Sequence, residues 1–479
     1  MDAAPPEGIP QGTTGGAAEI AAAEVAGATG SAPAGFGVAG SSNGRRQQVL
    51  FVSADPVGAS MAGVGIRYFE LARVLAAHAD VVIAHTGAAN ETLEGIPTIA
   101  YRPHTPSRLR EALSRADVVI AQPQWPLINR WLRRGRSRVV FDIYDPETFE
   151  TLELMATERP LVRRAFTDLT LDRLHDALRT GHHFMCASEK QRDLWLGAML
   201  SQRLIDPRGY DRDPTLRSVI DTVPFGLPGQ APSPPADAGP RGRLTGVDGD
   251  SELVLWNGGL WNWLDPVTAV RAAALLAARR PRLRLVFMGA ARQTAAAEAT
   301  DAAHAAAREL GVHGSVVHFN ETWVPYEERA AWLMQADCAI STHAEHLETR
   351  FAFRTRLLDC FWAGLPAVCT AGDDLTDRVA RDDLGAVAPP GDVGAVADAL
   401  EQVLDRGRDS YADALARVAL DYRWPRVASA LVRWVTLQAP PARLGDTHGA
   451  TRATPAHLMR SAAYLAGGRL VLDRRYPRS

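Results

Sequence analysis

The 479-residue sequence predicts an α/β protein with two Rossmann-like, doubly wound, mostly parallel sheets that face a central cleft. Short apolar runs of strand length recur along the chain with amphipathic helical patterns between them, which is typical of parallel sheets covered by helices. A stretch dense in Pro, Gly and Ala interrupts this pattern at 228–250. This stretch indicates a linker between two domains, which we place at 45–227 and 251–438.

The first domain begins with an apolar run at 48–53, of the kind found in a buried parallel strand. Further strands are predicted at 80–85, 117–122, 139–144 and 183–187. A glycine-rich turn follows the first strand and supplies Gly63 and Gly65 before a predicted helix. Because its glycines lack the G-x-G-x-x-G spacing of a dinucleotide site, this turn is either a phosphate or sugar loop or a tight turn that requires glycine.

Polar residues end three of these predicted strands, at the sheet edge where parallel α/β proteins bind ligands. Ser188 is suited to cap the helix that follows it. Asp145, which precedes Pro146 and Glu147, is either a helix cap or a cleft residue, and we favour the cleft.

The second domain repeats the alternation of strand and helix. Its predicted strands lie at 253–257, 283–288 and 315–319, and predicted helices begin at Asp265–Pro266, span 326–335 and include Val396, Leu400 and Val403. The domain then continues into the stretch with the highest density of charged candidate site residues.

That stretch, 336–373, carries most of the candidate site residues. We expect a strand at 336–342, an irregular loop at 343–350, a helix from near Phe353 to Gly364 and a strand at 367–370. A loop in this position lies at the carboxyl end of a parallel strand, where helix amides favour an anion. Three arginines crowd it with two carboxylates beside them: Arg350, Arg354, Arg356, Glu348 and Asp359. The mixture suits an anionic ligand that carries hydroxyl groups.

The composition argues against several classes of protein. A formal net charge of −3 disfavours a general nucleic-acid binder, because a phosphate backbone attracts a basic field. The four cysteines include no CxxC pair and are expected to be free and buried in a reducing compartment. No apolar run is long enough to span a membrane, and the amino terminus lacks the pattern of an export signal. We therefore expect a cytoplasmic protein.

Both ends of the chain are expected to lie outside the two domains. Residues 1–44 are rich in Ala, Gly and Pro without a basic residue, which predicts disorder. Residues 439–479 form an irregular basic tail. This tail is either solvated or makes weak peripheral contact with an anionic membrane, which would place the protein at the inner face of that membrane.

Residues 359–366, DCFWAGLP, resemble the E-A-M-A-C-G-L-P segment of the retaining glycosyltransferases of the GT-B fold, in particular their family 4 group. Residues 317–326, VHFNETWVPY, resemble the strand and helix entry of that family, and 63–67 resemble its glycine loop. The resemblance implies that the second domain binds a nucleotide-diphosphate sugar and that the first binds a hydroxyl acceptor, such as a glycan, a lipid-linked sugar or a small molecule. It also implies transfer with retention of configuration, without a metal or another cofactor.

The resemblance assigns roles to two carboxylates. Asp359 stands where the family has a glutamate that binds the ribose hydroxyls. The family's earlier glutamate would fall on Phe351, so Glu348 or Glu345 is the available substitute. We expect Glu348 to hold hydroxyls of the transferred sugar at the reacting face.

The phosphate ligands depart from the family pattern. The glycine turn Gly258–Gly259 lacks the cations that usually follow it, so Arg350, Arg354 and Arg356 are the candidates to neutralise the diphosphate. Arg354 and Arg356 are the expected catalytic cations, and Thr355–Arg356 resembles a Ser-Lys pair of some family members. The remaining expected contacts are Gly258, Gly259, Arg350, Thr355, Gly63 and Gly65 for the donor, and Arg67 and Asp145 for the acceptor.

The sequence alone does not exclude other functions. His343, Glu345, His346 and Glu348 offer metal-binding groups, but their spacing suits a tetrahedral site poorly, and we expect no metal. A nucleotide-sugar epimerase of the same fold is one alternative. A sugar-nucleotide-binding protein without turnover is another, because the usual cations are missing after the glycine turn.

Overall fold

The structure is a computed structural model that describes residues 45–437, except for 59–60, 62, 88–91, 104–105, 234–237, 290–296, 323 and 326–327. The predicted disordered segment 1–44 and the predicted basic tail 439–479 lie outside the described residues, as does part of the predicted linker.

The first half of the chain forms an eight-stranded sheet in the order β3-β4-β2-β1-β5-β6-β7-β8. Its strands are β1 (Gln48–Val52), β2 (Asp80–His85), β3 (Thr92–Leu93), β4 (Ile96–Ala100), β5 (Val118–Ala121), β6 (Arg138–Asp142), β7 (His183–Cys186) and β8 (Ile220–Thr222). Neighbouring strands are parallel except for β3 and β4. Alternate side chains of β1 enter two separate apolar cores, which is why its sequence is apolar throughout.

Helices connect these strands. They are α1 (Gly63–Ala76), α2 (Ser107–Arg115), α3 (Pro126–Arg134), α4 (Glu147–Leu154), α5 (Pro160–Thr180), α6 (Glu189–Ser201) and α7 (Pro207–Arg212). The predicted cap is present at α6, where the Ser188 hydroxyl accepts a hydrogen bond from the Gln191 amide at 3.2 Å. Pro146 occupies the cap position of α4, so Asp145 remains free to face the cleft.

The second half forms a six-stranded parallel sheet in the order β11-β10-β9-β12-β13-β14. Its strands are β9 (Glu252–Gly259), β10 (Leu283–Gly289), β11 (Val317–Phe319), β12 (Cys338–Ser341), β13 (Ala367–Thr370) and β14 (Gly385–Ala388). The change in strand order between β9 and β12 creates a crevice at the carboxyl ends of the strands, where open α/β sheets bind ligands.

The helices of the second half include the predicted βαβ unit. They are α8 (Pro266–Ala277), α9 (Ala297–Glu309), α10 (Arg329–Gln335), α11 (Leu347–Phe351), α12 (Thr355–Ala363), α13 (Asp374–Arg381), α14 (Val393–Arg406), a 3-10 turn (Arg408–Tyr411), α15 (Ala412–Asp421), α16 (Trp424–Val427) and α17 (Ser429–Thr436). Gly364 ends α12 with a left-handed φ of 61°, as the sequence predicts.

The loop predicted at 343–350 is partly helical. The short helix α11 forms there because the His346 ring accepts a hydrogen bond from the Thr349 amide at 3.1 Å and thereby caps it. Histidine is not among the preferred N-cap residues, so this helix has no start signal in the sequence.

The last helix, α17, returns to the first half. Its Trp434 ring stacks on His183 with the ring centroids 5.1 Å apart. Arg138 of β6 donates hydrogen bonds to the carbonyls of Val435 at 3.0 Å and Leu437 at 3.2 Å. The end of the described chain is therefore fastened to the first sheet.

The two halves also meet through the elements that follow their strands. Helix α11 packs against α4 and α6 of the first half. Lys190 of α6 forms ion pairs with two carboxylates of α13, Asp374 at 3.3 Å and Asp377 at 2.7 Å. These contacts close one end of a cleft whose walls are the carboxyl edges of the two sheets.

Two doubly wound sheets therefore face each other across a cleft, which confirms the predicted fold class. All four cysteines are free and buried, also as predicted. None of the helices in the described part of the chain is long and apolar enough to cross a membrane.

Candidate functional site

A cavity of about 310 Å³ opens at the carboxyl edge of the first sheet. Its lining residues come from the ends of β1, β5 and β6 and from α1, α4, α5 and α6: Ala54, Asp55, Val64, Gln122, Pro123, Asp142, Ile143, Asp145, Glu147, Thr148, Glu150, Thr170, Arg173, Leu174 and Trp195. Of the predicted acceptor residues, Asp145 lies in this lining.

The cavity is rich in carboxyl groups. Burial raises the pKa of Asp145 well above its usual range, and the charge of Glu150 adds to the rise. Burial likewise raises the pKa of Glu150 to about 8, with a further contribution from Glu348 of the second half. The one arginine in the lining, Arg173, is paired with Glu147 at 2.8 Å and donates to the Pro123 carbonyl. Because its pKa is about 8, the Glu150 carboxyl is largely protonated at neutral pH and can donate as well as accept a hydrogen bond, and the lining holds no unpaired cation.

Arg67 does not reach the cavity, although the sequence suggested it as an acceptor ligand. Its side chain is fully buried and forms a bidentate ion pair with Asp142, at 2.7 and 3.1 Å. Nη2 and Nη1 also donate to the carbonyls of Val223 and Pro224, respectively. Arg67 therefore joins α1 to β6 and to the segment after β8 rather than facing the cavity.

The glycine turn after β1 packs on itself. A Cβ atom on Gly65 would lie 2.5 Å from the Pro56 carbonyl oxygen, so only glycine fits there. A Cβ atom on Gly63 would meet no described atom within 4 Å. The close approach that requires glycine is thus to the loop itself, which supports the tight-turn interpretation for Gly65.

In the second half, Arg356 lies in the first turn of α12 beside the glycine turn. Its Nη2 donates to the Gly259 carbonyl at 3.2 Å, and its guanidinium lies 5.3 Å from the Trp256 ring centroid. The Nη1 atom is buried and has no hydrogen-bond partner in the described part of the chain. Burial lowers the pKa of Arg356 to about 10, so the guanidinium is cationic at neutral pH and one of its donors awaits an acceptor.

Arg354 is already neutralised. Its side chain is buried in an ion pair with Asp373, and Nη1 donates to the Thr370 carbonyl at 2.8 Å. A carboxylate thus already balances the charge of Arg354, while its buried Nη2 has no hydrogen-bond partner in the described part of the chain, so the catalytic role suggested from the sequence stays a prediction. Arg354 instead fixes the end of β13 relative to α12 and α13.

Glu348 lies on α11 with only 2% of its surface exposed. Burial raises the pKa of Glu348 to about 7, although Arg354 opposes the rise. The next turn of α11 contacts the first half, where Phe351 stacks on Phe149 at 5.6 Å and its carbonyl accepts a hydrogen bond from Gln191. Glu348 is thus positioned where the two halves meet.

The other predicted donor residues differ in availability. Asp359 is held by Arg329 of α10 at 3.2 Å, and burial raises its pKa while Arg329 opposes the rise. Thr355 is the first residue of α12 and is half-buried. Arg350 is exposed in the last turn of α11. Gly258 has a φ of 113°, which only glycine adopts readily.

His343, at the end of β12, is a site residue that the sequence suggested only as a metal ligand. It is 3% exposed, and neither ring nitrogen has a hydrogen-bond partner in the described part of the chain. Burial lowers its pKa well below the usual range, and Arg354 and Arg356 add to the effect. The ring is therefore neutral beside the Arg356 cation, with both nitrogens available to a ligand. Within the described residues, no group of three or more His, Cys, Asp or Glu side chains is arranged to hold a metal ion.

This architecture defines the class: the chain has the fold of the GT-B glycosyltransferases. Sucrose-phosphate synthase from Thermosynechococcus elongatus superposes with a TM-score of 0.56 at 18% identity, over 81% of this chain and 98% of that one. The Anabaena protein HepE, in complex with UDP-glucose, superposes with a TM-score of 0.57 at 12% identity, over 81% of this chain and 99% of that one.

The particular match lies in the second half. Residues 251–406 match the family described as glycosyl transferases group 1. A D-inositol 3-phosphate glycosyltransferase of Corynebacterium aurimucosum is 31% identical over 193 residues. That match spans 40% of this chain and 44% of the relative, less than half of either.

We predict that Arg354→Ala destabilises the fold. The change leaves the buried Asp373 without its cation, and breaking such a pair costs about 3–5 kcal/mol. Urea denaturation followed by circular dichroism measures the loss. Arg350→Ala, at an exposed position, is the matched control and should change stability by less than about 0.5 kcal/mol. Equal stability of the two variants would contradict the structural role of Arg354.

We also predict that Glu150→Gln flattens the dependence of stability on pH. Because the folded protein raises the pKa of Glu150 from 4.5 to about 8, the stability from its bound proton is lost as the pH rises through that range. The variant should lose ~2 kcal/mol less than the wild type between about pH 5 and about pH 8, measured by urea denaturation. Glu309→Gln, on the surface of α9, should behave like the wild type.

Proposed function

We propose that the protein transfers a sugar from a nucleotide-diphosphate sugar to a hydroxyl acceptor bound in the cavity of the first half. The observation that carries this proposal is Arg356. Its unpartnered, buried Nη1 lies in the first turn of α12, beside the glycine turn at the end of β9. A phosphate oxygen would satisfy that donor.

The position of Arg356 would also lower the energy barrier for sugar transfer. As the glycosidic bond breaks, negative charge grows on the departing diphosphate, and a fixed cation near that charge stabilises the transition state. The free amides at the start of α12 add to this effect, because a helix amino terminus carries partial positive charge. Arg356 and α12 thus act on the leaving group together.

Carboxylates and a histidine hold the sugar and ribose in this proposal. Asp359 accepts the ribose hydroxyls while Arg329 keeps it oriented. Glu348 binds hydroxyls of the transferred sugar, since it lies where donor and acceptor halves meet. His343, neutral and unpartnered, supplies a further hydrogen bond to the donor. By the family resemblance, transfer proceeds with retention and without a metal. An inverted anomer in the NMR spectrum of the product, or activity lost in EDTA, would overturn that part.

The acceptor is an uncharged or amine-bearing polyol. Carboxyl groups line the cavity, and its one arginine is already paired with Glu147. The lining therefore offers no free cation to a phosphorylated acceptor, whose charge would lose its water without gaining a partner, which costs binding energy. Nucleotide-sugar binding without release of nucleoside diphosphate would instead favour a binding protein without turnover, as the missing cations after Gly259 suggest.

We predict that Arg356→Ala abolishes turnover and leaves the fold intact. Loss of one group that stabilises developing charge lowers kcat by at least about 100-fold. The assay is acceptor-dependent release of nucleoside diphosphate, after a thermal-shift panel of UDP, GDP, ADP and TDP has identified the base. Arg356→Lys should recover part of the rate, because it keeps the charge but not the planar fork. Arg271→Ala, exposed on α8, is the control, and near-normal turnover in Arg356→Ala would refute the assignment.

We predict that the charge of the acceptor decides its use. Glucosamine and N-acetylglucosamine should outperform glucosamine 6-phosphate by at least about tenfold in kcat/KM. The discrimination should grow as the pH passes about 8, because the Glu150 carboxyl then ionises. Glu150→Gln should weaken that growth. A preference for the phosphorylated acceptor across this range would contradict an acidic acceptor site.

A further inference from the structure

A basic surface lies on the first half, away from the donor site. Residues 102–138 contain nine arginines against two acidic residues, in a chain whose net charge is −3, so this charge is a local feature. Helices α2 and α3 pack against each other within the segment. We name their exposed side the α2–α3 surface, which comprises Arg108, Arg110, Leu127, Arg130, Trp131, Arg134 and Arg136.

Helix α3 presents apolar and basic side chains on one exposed face. Leu127, Arg130, Trp131 and Arg134 follow the i, i+3, i+4, i+7 spacing that places residues on the same side of a helix. Leu127 is 51% exposed, and Arg130 and Arg134 are exposed, whereas Trp131 is half-buried and packs against the core of the first half. Arg110 of α2 lies 5.5 Å from the Trp131 ring centroid, so the two helices form a continuous surface.

The positive charge of this surface is not neutralised from within. Of the two acidic residues, Glu111 pairs with Arg115 at 2.6 Å, and Asp117 lies 3.6 Å from Arg45. Among residues 45–437 as described, no carboxylate forms an ion pair with Arg108, Arg130, Arg134 or Arg136. The surface therefore keeps an outward positive field that attracts an anionic partner.

We propose that the α2–α3 surface docks on an anionic lipid membrane. The arginines pair with lipid phosphates, while Leu127 enters the boundary between headgroups and acyl chains, as the apolar side chains of interfacial helices do. The exposed Leu127 favours a lipid surface, because a bound nucleic acid would leave this apolar side chain in water. Helix α3 begins three residues after Pro123 of the cavity lining, so the docked membrane would lie beside the cavity.

Vesicle sedimentation with the full chain tests the proposal. The probes are vesicles of phosphatidylcholine alone and vesicles with about 30% phosphatidylglycerol, in buffer near 0.1 M salt. The variant is Arg130→Gln, Arg134→Gln and Arg136→Gln combined. Its control changes Arg271, Arg282 and Arg417 to Gln, which are exposed on the second half and alter the net charge equally. Thermal melting verifies that both variants fold.

The wild type should bind the anionic vesicles and not the neutral ones. Each arginine near the surface contributes about fivefold, so the triple variant should partition about 100-fold more weakly, while the control triple stays within about twofold of the wild type. Leu127→Ser should weaken binding about fivefold, also at high salt. Equal binding by the two triple variants overturns the proposal. So does failure to bind vesicles combined with retention on poly(U) that the triple variant loses, which would identify a nucleic-acid surface instead.

Discussion

The buried ion pair between Arg354 and Asp373 is the contact on which the donor side of the cleft depends. Asp373 accepts the Leu375 and Thr376 amides and caps α13, while Arg354 precedes α12 and binds the Thr370 carbonyl. One pair thus fixes a strand end and two helix starts. In the first half, the buried ion pair between Arg67 and Asp142 likewise joins several elements. Because the loss of one partner would leave the other charge buried and uncompensated, each pair constrains the elements that it joins.

The two walls of the cleft offer different groups to a ligand. The wall of the second half carries the Arg356 cation and a neutral His343. The wall of the first half carries carboxyl groups whose burial raises their pKa values, so Glu150 is largely protonated at neutral pH. In the proposed transfer, negative charge grows on the departing diphosphate, and the Arg356 cation lies on the wall where we place that group.

The fold followed from local signals in the sequence, and the site followed only in part. An apolar strand segment and the glycine that ends α12 can each be recognised from a few consecutive residues. The main strands of the two sheets and α12 were therefore predicted well. The carboxylate partners of Arg67 and Arg354 were not predicted. The neighbours of Arg67 in the sequence do not reveal Asp142, which lies 75 positions away. The cavity was missed for the same reason. Glu150, Arg173 and Trp195 come from three separate helices, and only the folded chain brings them together.

The ion pairs between α6 and α13 involve the one lysine in the sequence, Lys190. Every other basic side chain that bridges elements is an arginine or a histidine, neither of which forms stable amides with common acylating reagents. The chain therefore carries a single side-chain amine, and that amine lies at the junction of its two halves. Acylation there removes the charge that pairs with Asp374 and Asp377, so a common reagent can break both ion pairs without a substitution in the chain.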